Sequence, residues 1–245
     1  MLTASGRPTF RSLKPAWECL NPPSAEPMSI VEAKLQCNRA TDETSQDLLW
    51  RRIIEAARHQ VEMDVCRAIC WQRWVMRLDE WPDVIDVYKC PVIEVESVKF
   101  RDYSTPFVLT PVDPDDYVVS LTEPARISLS YGSFWQPSRP EMGAIEITFT
   151  AGYLVPFTAS VSTNILTFSD YGPTNGDVFR LTNSGGELPR PLLEKRPYYV
   201  VNASGSTCQL SLTSGGAAID LTTNGFGLHY LGEVPQSLMQ AMRKR

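Results

Sequence analysis

Hydrophobic positions along the chain change their period three times, and each change predicts a different kind of element. From Ser29 the spacing is helical. Ser29-Ile30-Val31-Glu32 has the form of a capping box, in which the Ser hydroxyl and the Glu carboxylate satisfy free backbone N–H groups, and it predicts a short helix to about Asn38. Thr44-Ser45-Gln46-Asp47 repeats the start signal ahead of a longer helix to about Arg67, with Leu49, Ile53, Ala57, Val61 and Val65 as its apolar stripe. Its other flank pairs Asp47 with Arg51 and Arg58 with Glu62 four residues apart, which predicts a solvated or subunit-facing surface.

After Arg67 the period falls to two. ICWQRWVMRLDEWPD (69–83) alternates as a half-buried strand would and stops at Trp81-Pro82. VIEVESVKF (92–100), YVVSL (117–121), ARISLSY (125–131) and GAIEITFTAGY (143–153) continue the strand series, with Asp113-Pro114-Asp115-Asp116 as a turn between them. Helices followed by an antiparallel sheet give an α+β class.

The third change comes after Val155-Pro156, where a helix could open and none does. Residues 157–231 instead read as short strands separated by Asn-Gly, Ser-Gly-Gly and Ala-Ser-Gly turns, the pattern of a small all-β module. A second Val-Pro at 234–235 is followed by the helical QSLMQAMRKR. The expected organisation is an extended arm over 1–27, a body over 28–156, an inserted β domain over 157–231, and a short C-terminal helix with a basic tail over 232–245 that belongs to the body. The ends of such an insertion must lie close together, because the connection it interrupts is short.

Composition narrows the chemistry. The 245 residues are 43% hydrophobic and 21% charged, as in ordinary globular proteins. No apolar run approaches the roughly 18 residues of a membrane span, and MLTASGRPTFRSLKPAW lacks a secretory h-region, so no membrane is expected. The formal charge is -5. Residues 28–156 hold 20 acidic and 13 basic side chains, and a body this acidic repels phosphate backbones. The six cysteines read as reduced, buried thiols, since the only histidines are His59 and His229 and no second Cys pair completes a zinc set. Asp79, Glu80, Asp83 and Asp86 cluster beside Trp81-Pro82 and are turn carboxylates, not a metal site. No catalytic or phosphate-loop motif is present, so neither an enzyme nor a cofactor is expected. The tryptophans at 71, 74, 81 and 135 fit strand faces and turn packing better than a base-stacking platform.

The ordered series PMSIVEAKLQ, CRAICWQRWVMRLDEWPD, KCPVIEVESVKFRD, DYVV, PARISLSYGSFWQPSRPEMGAIEITFTAGY and VPQSLMQAM resembles the head-to-tail connector (adaptor, or head completion) family of tailed bacteriophages, over residues 27–153 and 234–242. In that family A-G-Y runs directly into V-P and a helix, so residues 157–231 stand as an insertion similar to β modules of phage structural proteins. The resemblance implies a structural virion protein of the neck, assembled in the host cytoplasm into a homo-oligomeric, dodecameric ring. One side would meet the portal protein and the other a downstream neck, stopper or tail protein, while double-stranded DNA passes the lumen without sequence-specific binding. Leu238, Met239, Met242, Arg243, Lys244 and Arg245 are then candidate portal contacts, and Arg51, Arg52, Glu55, Arg58 and Glu62 candidate subunit contacts. A tail-terminator role, or a host-glycan-binding decoration built on the insertion, is the alternative.

Overall fold

The computed structural model describes residues 15–103, 108–139, 141–169 and 171–244. The chain folds as α+β, and its described residues divide into two compact units, one gathering those up to Pro22, Cys66–Ala68 and Gln72–Gly152, the other Pro23–Val65, Ile69–Trp71 and those from Tyr153.

The first unit is built from strands β1 (Ala16–Asn21), β2 (Gln72–Leu78), β3 (Val84–Val87), β4 (Val92–Arg101), β5 (Leu109–Pro111), β6 (Tyr117–Ser120), β7 (Ala125–Leu129) and β8 (Ile145–Ala151). They form a five-stranded sheet in the order β1-β2-β8-β4-β5 and a three-stranded sheet in the order β3-β7-β6, all antiparallel. The central strand β8 explains the arrangement: Ile145, Ile147, Phe149 and Ala151, alternating along it, are fully buried. Ile147 sits opposite Met76 of β2 and Val98 of β4, and these residues share one core with Ile85, Val87 and Ile127 of the smaller sheet. The turn before β6 is a 3₁₀ turn over Pro114–Asp116, capped by the Asp113 carboxylate, which accepts from Asp115 N–H at 3.0 Å. The sequence reading assigned no element to residues 16–21, yet β1 pairs with β2 there, and Trp17 meets Phe149 edge-on at 5.9 Å.

The second unit combines α1 (Ile30–Gln36), α2 (Asp47–Val65), strands β9 (Val155–Ser160), β10 (Ile165–Phe168), β11 (Val178–Glu187), β12 (Pro197–Ser204), β13 (Thr207–Ser211) and β14 (Phe226–Leu231), and α3 (Gln236–Arg243). The six strands close into an antiparallel barrel in the order β10-β13-β12-β11-β14-β9, which leaves no sheet edge. Val155 is paired with Leu231, so the barrel begins and ends at adjacent positions. Phe157, Phe168 and Phe179 fill it, with Phe168 about 5.9 Å from each of the other two rings. Helix α1 packs against α2 and β11, and α2 packs against α3.

Two expectations about side chains are corrected. The stripe predicted on α2 meets the buried face only in part: Val61 is buried and Ala57 half-buried, but Leu49, Ile53 and Val65 are exposed, and the other residues the helix buries are Ile54, Arg58 and Glu62. Of the cysteines, Cys70, Cys90 and Cys208 are buried, but Cys19, Cys37 and Cys66 are exposed, the first on the outermost strand β1 and the others just past the ends of α1 and α2.

Candidate functional site

Both surfaces expected to make contacts lie in the second unit. On α2, Arg51, Arg52 and Glu55 are exposed. Arg58 and Glu62 are not surface residues: both are buried, Arg58 between two carboxylates and Glu62 between Arg58 and a backbone N–H. Arg58 donates from Nη1 to Glu62 at 2.7 Å, and from Nε and Nη2 to the two carboxylate oxygens of Glu26 at 2.8 and 3.1 Å. The second oxygen of Glu62 accepts from the Ile69 N–H at 2.7 Å. Burial works against the Arg58 charge, but the hydrogen bond to Glu26 and the charges of Glu62 and Glu26 outweigh it and hold the guanidinium pKa above its ordinary value. The Cys70 thiol beside this group is pushed well up, by burial first and then by the Glu26 charge. Tyr230 of β14 donates its hydroxyl to the Glu26 carbonyl, so the Glu26 residue is held by both side chain and backbone.

Helix α3 is placed by its own apolar residues. Leu238, Met239 and Met242, expected as portal contacts, pack with Val61, Ile69, Leu154, Tyr230 and Val234 of the same chain, and Met242 is buried there. An eight-residue helix is too short to persist alone in water, and this packing supplies the stability it lacks. Arg243 forms an ion pair with Glu32 at 2.6 Å. The pair joins the C-terminal end of α3 to the N-terminal turn of α1, where both helix dipoles favour it. Lys244 is exposed, and Arg245 lies outside the described residues.

The capping box of α1 is completed by a third residue that sequence reasoning missed. Ser29 Oγ accepts from the Glu32 N–H at 3.1 Å, as the motif requires. The reciprocal half runs through Ser184 of β11, whose hydroxyl accepts from Ser29 N–H at 2.9 Å and donates to Glu32 at 2.6 Å. Gly185 makes this approach possible. Its φ is +72°, and a Cβ there would lie 2.0 Å from Ser29 Oγ. The signal available in the sequence was Gly185-Gly186 inside a strand pattern, which marks a bulge or a close backbone approach as readily as a turn.

Two of the four carboxylates read as turn residues, Asp79 and Asp86, have partners of their own. Asp79 accepts from the Gly143 N–H at 2.8 Å and Asp86 pairs with Arg126 at 3.3 Å. Among the described residues no three His, Cys, Asp or Glu side chains come together as a metal-binding group. Trp81 and Trp135 stack on each other at 4.3 Å and donate their ring N–H groups to the carbonyls of Gln136 and Pro82, so both bind the chain's own turns.

No protein-family model matches the chain, and no curated protein matches it significantly. Among solved structures it is similar to a chain of the virion of a native gene transfer agent particle, with 20% identity over 56% of this chain and 71% of that one and a TM-score of 0.44. A chain from the neck of an empty gene transfer agent particle, computed with C6 symmetry, shares 18% identity over 56% and 71% of the two chains at a TM-score of 0.43. One from the neck of the native particle, computed with C12 symmetry, shares 22% over 56% and 70% at 0.39. Scores below 0.5 leave the functional reading to the chain's own residues.

Proposed function

We propose that this chain is a structural protein of a phage-type virion neck, assembled as a closed ring of identical subunits between the portal vertex of a DNA-filled head and the next neck or tail component. The order of sequence blocks supports the neck assignment. The observation that carries the ring is the outer face of α2, where Leu48, Leu49, Ile53 and Met63 are exposed beside Arg51, Arg52 and Glu55. Apolar burial must supply the adhesion, because exposed ion pairs contribute about 0–1 kcal/mol each. Head-to-tail contacts close a ring when the rotation between neighbours divides the circle. A lumen lined by net negative charge lets duplex DNA pass without adhering. Residues 157–231 are an insertion in this reading, with its ends brought together where β14 pairs with β9. Contact with the portal falls to the exposed face of α3, Gln236, Ser237, Gln240 and Lys244, since the apolar residues of that helix are committed to its own unit.

Electron microscopy of DNA-filled heads incubated with the purified protein tests this directly. A ring of density beneath the portal is expected, and the double variant Leu49→Asp/Ile53→Asp should abolish it while leaving the circular dichroism spectrum unchanged. Monomers scattered over the capsid exterior would overturn the reading.

A further inference from the structure

We infer that the outer face of the barrel beside Phe226 is a binding site for a neutral saccharide, separate from the contacts that would build a ring. A cleft of about 480 Å³ lies there, within the second unit. The strand register explains what lines it. Phe157 is paired with both Phe168 and His229, and all three are buried. Their neighbours along the strands therefore face outward. Thr158 and Thr167, a cross-strand pair on β9 and β10, present hydroxyls on that face, while Phe226 and Leu228 present apolar surface along β14. Ser24, Ser169 and Asn224 border the same cleft.

Three features point to a sugar. First, Phe226 is 63% exposed although its backbone is tightly held. Its carbonyl accepts from the Asn183 amide at 3.0 Å, and a Cβ on Gly225 or Gly227 would lie 2.5 Å from Glu187 O or 2.7 Å from Ser184 O. The ring is presented by a fixed support, so little ordering cost accompanies binding. Second, no Asp, Glu, Lys or Arg occurs among the described residues lining the cleft, so phosphates, carboxylates and ammonium groups find no counter-charge there. Third, an aromatic face beside a row of hydroxyl and amide groups matches a pyranose, which offers a C–H face for the ring and equatorial hydroxyls for the polar groups.

Saturation-transfer NMR on the full chain, with methyl glycosides of glucose, galactose, mannose and N-acetylglucosamine as probes, decides the matter. At least one glycoside should receive saturation on its ring C–H protons. Phe226→Ala should weaken that binding by about tenfold, and Thr158→Val by less, with the melting temperature unchanged because both side chains are exposed. No transfer to any glycoside at millimolar concentration would overturn the inference, as would transfer indifferent to both substitutions. Loss of neck assembly in Phe226→Ala without any sugar binding would assign the cleft to a protein contact and overturn it equally.

Discussion

The two units bury different chemistry. The core of the first is mainly aliphatic and aromatic: Met76, Ile85, Ile127, Ile145, Ile147 and Phe149 are fully buried without a polar group that needs a partner, and the polar side chains buried beside them, Gln72 and Thr150, carry no charge. The second buries Lys34, Arg58, Glu62, Ser184 and His229 among its apolar residues. Lys34 there donates to Asp47 at 2.5 Å, binding the end of α1 to the start of α2. An apolar core tolerates exchange of similar volumes, whereas a buried polar group penalises any change that orphans its partner. The first unit is therefore specified by pattern and the second by particular pairs.

Breaking the Arg58 network should produce the largest effect. Arg58→Ala leaves two carboxylates without their cation and should cost about 3–5 kcal/mol, read as a lowered urea midpoint. Replacing Arg58, Glu62 and Glu26 together by apolar residues should cost less than the single change, which is the signature of a network and not of lost packing. Gly185→Ala comes next: its methyl group must displace Ser29 Oγ at a positive φ, and a loss of about 1–3 kcal/mol is expected with reduced helical signal. Ile147→Val in the first unit should cost only about 0.5–1.5 kcal/mol, although the residue is fully buried. A larger loss there than at Arg58 would reverse the comparison.

The smallest effect is on acid response. Burial holds the pKa of His229 below its ordinary value, opposed by a hydrogen bond to the Asn224 backbone. The unfolded chain therefore takes up the proton first, so this contribution is fully present above about pH 6.5 and declines as the pH falls from there toward the folded value, at no more than about 1.4 kcal/mol per pH unit. Melting temperatures at pH 7.5 and 5.5 should differ less in His229→Gln than in the parent chain.

Much of the first unit was legible because alternation is a direct consequence of the pleat, and β2, β4, β6, β7 and β8 fall where it placed them. β5, with three residues, is too short to show a period, β3 was missed although it is as long as β6, and β1 is recognisable only through its pairing with β2. Helix α2 was found but its face misread. A strict spacing of four advances the helix by about 40° per step, so five such positions fan across about 160° and cannot all face one core. The buried positions include two charged residues, and Glu26, which explains them, lies 32 residues upstream of Arg58. The C-terminal helix was legible in place, but its burial depends on Tyr230 and Val61, which no local pattern connects to it.

The Ser184 bridge has a consequence for biosynthesis. Helix α1 cannot complete its N-terminal turn until a residue 155 positions later than Ser29 has been made and brought back to it. Closing so long a loop costs entropy before any contact repays it. While the chain emerges from the ribosome, α1 carries an unfinished end, and the second unit acquires its full set of bonds only when the barrel strand bearing Ser184 is in place. Its folding is thereby timed to the late half of synthesis, whereas β1 to β8 have all their pairing partners by residue 151.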